Sequence, residues 1–232
     1  MKIIEQSHEI LSCPDSILKM IELAGRTCYK SGEKIGCLLS ANECCIDGMG
    51  DPVRINCKIT QCELHSSHKF VKMLKDKGHH AMIEFADITV KFITNRGVTH
   101  ELVRHRLCSF AQESTRYINY SNKDIQFIQP TWYDESDTDM NATKARRSWV
   151  SAMSKSEKIY NDLISYGWSA QKAREVLPNS LKTEIIVKAN VREWRHIFKL
   201  RCSKAAHPQM KTLMDGLLTE LKEKVPVIFE DL

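Results

Sequence analysis

A single α+β domain, with a sheet packed against several long helices, is what this sequence of 232 residues predicts, and three observations carry the prediction. The stretch "ADITVKFIT" at 86–94 alternates apolar and polar positions, the period of a half-buried strand. Two long segments, from about Asn141 to Tyr166 and from Gln209 to Lys224, repeat apolar residues at helical spacing. No repeat, low-complexity tract or break in composition marks a second domain. A chain of this length buries roughly 70% or more of the surface that its unfolded form exposes, so a substantial core is available.

The elements follow in order. Residues 14–24 predict a short helix, with Pro14 suited to a first turn, Ile17, Ile21 and Ala24 on one face, Gly25 as its stop and "GRTCYKS" as the loop after it. From 31 to 62 periodicity fades and Gly32, Gly36, Gly48, Gly50 and Pro52 accumulate, which predicts a long connection with room for a short helix. Ser66 or Ser67 caps the next helix, Phe70, Val71 and Leu74 face inward, and Gly78 stops it. After the strand at 86–94, "NRG" turns the chain. Thr99 then caps a helix with Val98, Leu102 and Val103 as its stripe and Arg104, His105 and Arg106 in its last turn. "IQFIQP" predicts a strand ended by Pro130. The long helix that follows buries Trp149, Met153, Tyr160 and Leu163 and stops at Gly167. Ser169 caps "AQKAREVL", which ends at Pro178. Further helices are expected from about Leu181 to Leu200 and over Gln209 to Lys224, where Met210, Leu213, Leu217 and Leu221 form the buried stripe.

Composition excludes several classes. Charged residues at 27% and hydrophobic ones at 42% are those of an ordinary globular protein. No stretch reaches the eighteen or so apolar residues that span a bilayer, and "MKIIEQSHEI" turns polar too early for a secretory signal, so a cytoplasmic protein without membrane contact is expected. Nine cysteines, an odd number spread along the chain, fit reduced thiols. Cys44, Cys45, Cys57, Cys62, His65 and His68 lie close in sequence but match no zinc spacing, and no metal is expected. The net charge of +5 is modest and suits anionic small molecules at least as well as nucleic acid. Its distribution says more, because basic residues gather at 104–116 and 192–204.

The first of these clusters, "RHRLCSFAQESTRY", spans Arg104 to Tyr117 and has neither glycine nor proline. Cations at a helix end complement its carbonyl dipole, and that capping role stands beside an anion-binding one. Residues two apart on a helix diverge by about 200°, so Arg104 and Arg106 in a helical turn would face two ligands, or two parts of one. Ser109, Gln112, Ser114, Thr115 and Arg116 add hydroxyls, amides and a planar guanidinium fork, the groups that surround a phosphate. On the helix expected near 191–200, Arg192 pairs by spacing with His196 and Arg195 with Lys199, beside an apolar seam of Val191, Trp194 and Phe198. No glycine-rich phosphate loop, dinucleotide turn, nucleophile elbow or HExxH motif is present, so a bound nucleotide would be held by arginines and hydroxyls. Stripes of Arg and Lys interleaved with Tyr117, Tyr120 and Trp132 also suit a nucleic-acid surface.

Arg104-His105-Arg106 followed by seven residues and Ser114 resembles the RHR(X)7S signature of the flavin-dependent thymidylate synthases, the ThyX family. The likeness extends to Ser114-Thr115-Arg116-Tyr117, to Gly78, His79 and Glu84, to Arg174 and Pro178, and to Asn190, Arg192, His196, Leu200-Arg201 and Ala206-His207-Pro208. "RTCY" at 26–29 looks like an early loop of the family, and 31–62 is the one segment the likeness leaves out, as a Cys- and Gly-containing insertion.

The resemblance implies a homotetramer of α+β subunits with each active site assembled from several chains. It implies FAD as cofactor, methylation of dUMP to dTMP with 5,10-methylenetetrahydrofolate as carbon donor, NADPH as reductant, and no nucleic-acid partner. Carried across by position, His79, Ala81, Arg104, His105, Arg106, Leu107, Gln112, Asn190, Arg192 and His196 are the expected FAD contacts. Glu101, Arg104, Gln112, Glu113, Ser114, Thr115, Arg116, Arg174 and Arg201 are the expected dUMP contacts, with Ser114 and Arg116 near the phosphate and Arg201 in the catalytic position beside the pyrimidine. Two positions depart from the family pattern. Glu101 stands where glutamine is common and brings a carboxylate toward an anion, and Ala81 stands where a hydroxyl is common.

Overall fold

Strands open the chain, where the sequence reading places none. The computed structural model describes residues 1–36, 65–121 and 123–232. The strands are β1 (Lys2–Ile4), β2 (Ser7–Ser12), β3 (Asp87–Asn95), β4 (Cys108–Gln112), β5 (Gln126–Ile128) and β6 (Lys182–Asn190). The helices are α1 (Ile17–Tyr29), α2 (Ser66–Asp76), α3 (Arg96–Leu102), α4 (Met140–Ser165), α5 (Ala170–Ala173), α6 (Val191–Arg201), α7 (Pro208–Lys224) and α8 (Pro226–Phe229). β1 runs parallel to β5, and the larger sheet has the order β2-β3-β6-β4. This is the expected α+β class.

The chain divides into two compact units, one of Met1–Glu9, Lys91–Val187 and His207–Leu213, the other of Ile10–Val90, Lys188–Ala206 and Met214–Leu232. In the first, Ile125, Phe127, Met153, Tyr160, Ala173 and Leu181 form a buried cluster, and Trp149, Leu163, Val176 and Leu177 pack around it. Each fully buried aliphatic or aromatic side chain contributes about 1.5–3 kcal/mol by leaving water. The stripe expected of the long helix is therefore the one that α4 uses, and Gly167, at φ +90°, ends that region where a side chain would be strained.

In the second unit, Trp194 of α6 is fully buried, donates from Nε1 to the Ile88 carbonyl at 3.0 Å and stacks on Phe198, which meets Phe229 edge-on. Arg195, expected to belong to a cationic face, is buried instead. It forks onto both carboxylate oxygens of Asp231 at 2.7 and 2.6 Å and also donates to the Ile228 carbonyl, while Lys75 reaches the same carboxylate at 3.1 Å. These cations hold the Asp231 carboxyl well below the usual carboxylate range, Arg195 most of all. Glu22, fully buried on α1, is satisfied by Arg26 at 2.7 Å and by the Ser66 hydroxyl at 2.9 Å. Ser66 also exchanges hydrogen bonds with the backbone of Gly36, so the chain is joined at those two points.

Several boundaries differ from expectation, each for a local reason. α1 runs through Gly25 to Tyr29, so "GRTCY" is helical, and Lys30 in the left-handed region closes it. Gly25 serves packing, because a Cβ there would lie 2.6 Å from the Phe70 ring. α2 is capped by His65, which accepts from the Ser67 N–H at 3.1 Å, rather than by a serine. Asn95 caps α3 at 2.8 Å from Val98 N, so the helix begins inside "NRG" and Thr99 lies within it. Starting four residues early, α3 is spent at Leu102, and Arg104–Arg106 fall beyond its last turn. The divergence of about 200° between Arg104 and Arg106 therefore does not apply.

The helix expected from Leu181 is a strand as far as Asn190. Thr183, Ile185, Val187 and Ala189 are buried alternately, and the β-branched residues prevail over the helical reading. "AQKAREVL" forms a single turn of α-helix followed by a 3-10 turn at Arg174–Val176. Of the segment 31–62, Gly32–Lys34 form a 3-10 turn, and Cys37, Cys44, Cys45, Cys57 and Cys62 lie outside the described residues. Among the described residues no helix is long and apolar enough to cross a membrane.

Candidate active site

The segment after α3 is where the expected ligands concentrate. Past Leu102 the chain turns, with Arg104 N bonded to the Glu101 carbonyl and His105 N to that of Leu102. Arg104, Arg106 and Leu107 are exposed, His105 between them is buried, and Glu101 is half-buried. β4 then carries the chain to Gln112. Beyond it, Tyr117 N and Ile118 N both bond to the Ser114 carbonyl, and the Ser114 hydroxyl accepts from Arg116 N at 3.3 Å. Ser114 thus closes a turn in which the N–H groups of Arg116, Tyr117 and Ile118 are satisfied locally and the Arg116 side chain is left exposed.

Three chain segments meet at this turn within the first unit. Arg174, directly after α5, donates to the hydroxyl of buried Thr115 at 3.4 Å, across 59 residues. A cavity of about 290 Å³ opens beside them, lined also by Arg96, His100, Glu175, Pro178 and Asn179. Two guanidinium groups, an imidazole and a hydroxyl face one exposed carboxylate, Glu175, which lies 3.7 Å from Arg174 and is too solvated to neutralise it. The arrangement suits a compact, multiply charged oxyanion such as a phosphate monoester. Arg116 is exposed, lies over the Tyr117 ring at 5.6 Å and donates to Gln171 at 3.3 Å.

Gln112 and Glu113 turn elsewhere. The Gln112 amide donates to the Thr99 and Thr183 hydroxyls at 2.9 and 3.3 Å. The Glu113 carboxylate accepts from the Tyr120 hydroxyl at 2.8 Å, from Lys182 Nζ at 3.2 Å and from Glu184 N at 3.3 Å. Burial, reinforced by that carboxylate, pushes the Tyr120 phenol far above its ordinary range.

The remaining expected residues belong to the second unit. His79 is exposed, with Nδ1 2.7 Å from the Tyr29 hydroxyl, and Ala81 follows it on an exposed 3-10 turn. Asn190 caps α6 by accepting from Glu193 N at 2.8 Å, which leaves its amide NH2 for another partner. Arg192 meets Glu84 at 2.5 Å with both side chains about half exposed, His196 is exposed one turn on, and Arg201 is half-buried at the helix end. An exposed pair such as Arg192–Glu84 contributes little and exchanges readily for a phosphate oxygen. The donor set of Asn190, Arg192, His196 and His79 thus fits a diphosphate-bearing cofactor in its chemistry.

Sequence reasoning missed Arg96 and His100, because the expected helix began after Arg96, and it missed the Tyr120–Glu113–Lys182 contacts. The i, i+4 spacing of Arg96 and His100, directly after an asparagine able to cap, is the signal available for the first; nothing in the sequence announces the second.

An α+β protein with a basic oxyanion cavity beside the turn at Ser114 is the class that fold and site define. Residues 9–227 match the model of the family described as thymidylate synthase complementing protein, and the chain belongs to that family. It is 34% identical over 164 residues to the flavin-dependent thymidylate synthase of Geobacter sulfurreducens, covering 70% of this chain and 68% of that one. The flavin-dependent thymidylate synthase of Corynebacterium aurimucosum is 30% identical over 220 residues, covering 91% of this chain and 78% of the relative. The fold is similar to that of a UMP/dUMP methylase, PolB from Streptomyces cacaoi, solved with bound 5-Br dUMP, at a TM-score of 0.71 and 20% identity over 99% of this chain and 96% of that one.

Proposed function

We propose that the protein is a flavin-dependent thymidylate synthase that methylates dUMP to dTMP, taking the carbon from 5,10-methylenetetrahydrofolate and reducing equivalents from NADPH. Family membership and the names of its relatives support the reaction. The single observation that carries the site is the approach of Arg174 to Thr115 at the cavity shared with Arg96 and His100, which gathers phosphate-binding groups from three parts of the chain. The reading includes a homotetramer with active sites assembled from several chains, and a cytoplasmic location.

In this reading the turn at Ser114–Arg116, with Arg174, holds the nucleotide phosphate. The Ser114 hydroxyl belongs to that turn, where it accepts from Arg116 N, which supports a binding role over a nucleophilic one. Arg201 is the catalytic residue: negative charge develops at N3 and the C4 carbonyl of the uracil as C5 becomes nucleophilic, and a fixed guanidinium stabilises it without changing its own protonation. Arg104 and Glu101 lie at the nucleotide edge, with Gln112 and Glu113 behind it. His79, Ala81, His105, Arg106, Leu107, Asn190, Arg192 and His196 hold FAD, with Arg104 and Gln112 shared between the two ligands. Bound FAD supplies the electron transfer that carries the reducing power of NADPH to the one-carbon unit.

Tritium release from C5-labelled dUMP tests the proposal. Purified protein loaded with FAD is expected to be yellow and to release tritium with NADPH and methylenetetrahydrofolate. No release from folded, flavin-loaded protein overturns the function.

A further inference from the structure

We propose that Tyr120 and Lys182 are positioning residues that set substrate affinity through Glu113, so that Glu113 acts as a latch for the phosphate turn instead of touching the nucleotide. This rests on the proposed reading of the turn at Ser114–Arg116 as the dUMP phosphate site. Glu113 immediately precedes that turn, yet its carboxylate is taken up on the other side by the Tyr120 hydroxyl at 2.8 Å, Lys182 Nζ at 3.2 Å and Glu184 N at 3.3 Å. Its own backbone is tied at both ends. Glu113 N donates to the Glu184 carbonyl at 2.9 Å, and its carbonyl accepts from Arg96 at 3.4 Å.

The latch is a connected network. Lys182 spans Glu113 and Glu184, at 3.2 and 2.6 Å, and Glu184 also meets Lys91 at 2.6 Å, so two carboxylates and two ammonium groups alternate. The Glu113 and Lys182 side chains are 14% and 15% exposed, which keeps this part of the network from being dissolved by water as a surface pair would be. Tyr120 closes the same segment from its far end, and its backbone N–H is held by the Tyr160 hydroxyl at 3.3 Å. The chain between Glu113 and Tyr120, which holds Ser114, Thr115 and Arg116, is therefore clamped by a side-chain bond between its two ends. Tyr120, Glu113, Lys182, Glu184 and Lys91 line a cavity of about 740 Å³, and Arg174 and Thr115 line the smaller basic one, with Leu181 common to both. A group that orders a loop before the ligand arrives raises affinity by removing the ordering cost from binding.

The test is steady-state kinetics of FAD-loaded protein with dUMP varied, on Tyr120→Phe, Glu113→Gln and the double variant. Tyr120→Phe keeps the ring in its packing and removes one hydrogen bond to a charged acceptor. The KM for dUMP is expected to rise about 5- to 30-fold with kcat within about twofold and the flavin absorbance unchanged. The double variant is expected to fall short of the product of the two single effects, because Glu113→Gln weakens the charged acceptor of the same hydrogen bond that Tyr120→Phe removes. Lys182→Gln, with the same KM shift expected, serves if Tyr120→Phe does not fold. A KM like that of the parent in whichever of these folds, or effects that multiply in the double variant, overturns the latch. Parent protein that neither binds nor turns over dUMP overturns the functional reading instead, so the two failures are distinct.

Discussion

The Arg174 guanidinium meets the Thr115 hydroxyl at 3.4 Å, joining the end of α5 to the turn that follows β4. Thr115 is buried and Arg174 is partly exposed, so the hydroxyl aims a cation at the cavity that Arg96 and His100 also line. Replacing Arg174 by alanine is expected to raise the KM for dUMP about 10- to 100-fold, the loss of a charge-assisted hydrogen bond, while flavin absorbance persists. Lysine should restore only part, since it keeps the charge and loses the planar fork. Titration of dUMP into each variant checks both.

Arg201→Ala is expected to keep its flavin and to lose turnover by a factor on the order of 100 or more, because the stabilised charge exists only as the reaction proceeds. Flavin content and tritium release measured on the same sample check this. Near-normal turnover would remove Arg201 from the catalytic role.

The Arg195–Asp231 pair makes a prediction about pH. Asp231 has its pKa lowered, chiefly by Arg195, so its contribution is fully present above the unfolded value of about 4 and is lost as pH falls below it toward the depressed folded value. Asp231→Asn should therefore be less stable than the parent near pH 6, with the gap narrowing as pH drops through 4 toward 2. Because Arg195 is 7% and Asp231 43% exposed, the buried cation is the partner left stranded, and solvent screening at the half-exposed carboxylate brings the cost below that of a fully buried pair, to about 1–3 kcal/mol near neutrality. Urea unfolding across that range gives the comparison.

Gly25→Ala tests close packing against helix propensity. Alanine gains up to about 1 kcal/mol in a helix interior, but its methyl would lie 2.6 Å from the Phe70 ring. That ring lies under the Arg26 guanidinium at 4.4 Å and edge-on to Tyr29. Overpacking is expected to win, leaving the variant about 1–2 kcal/mol less stable by urea unfolding.

Where periodicity is strong and burial one-sided, the sequence shows the fold. Met153 and Tyr160 on α4, Met210 and Leu217 on α7, and the alternation through Ile88, Val90 and Phe92 on β3 all lie where spacing predicts. The failures are physical too. Thr183, Ile185 and Val187 alternate just before a helical pattern, and a window that spans both averages them into one helix. Asn95 reads as a turn residue in "NRG", but its side chain is equally able to cap, and capping there starts α3 four residues early and leaves Arg104 and Arg106 beyond it. Arg195 and Arg192 look alike in sequence, yet one is buried on Asp231 and the other meets solvent-facing Glu84. Only a tertiary partner tells them apart. Thr115 and Arg174 were both readable as ligands, but their meeting across 59 residues was not.

Asn95 and Asn190 end a strand and cap a helix in the same way, each accepting from the third N–H beyond it at 2.8 Å, with no intervening loop. Glu101 and Arg192 are thus carried on rigid joints, while Arg104–Leu107 and Ser114–Tyr117 lie in turns outside regular elements. A change of ligand by natural or directed evolution is therefore cheapest in the turns, where substitution leaves strand register untouched. The two asparagine joints are the frame against which such variation can be sampled, and they should tolerate least change themselves.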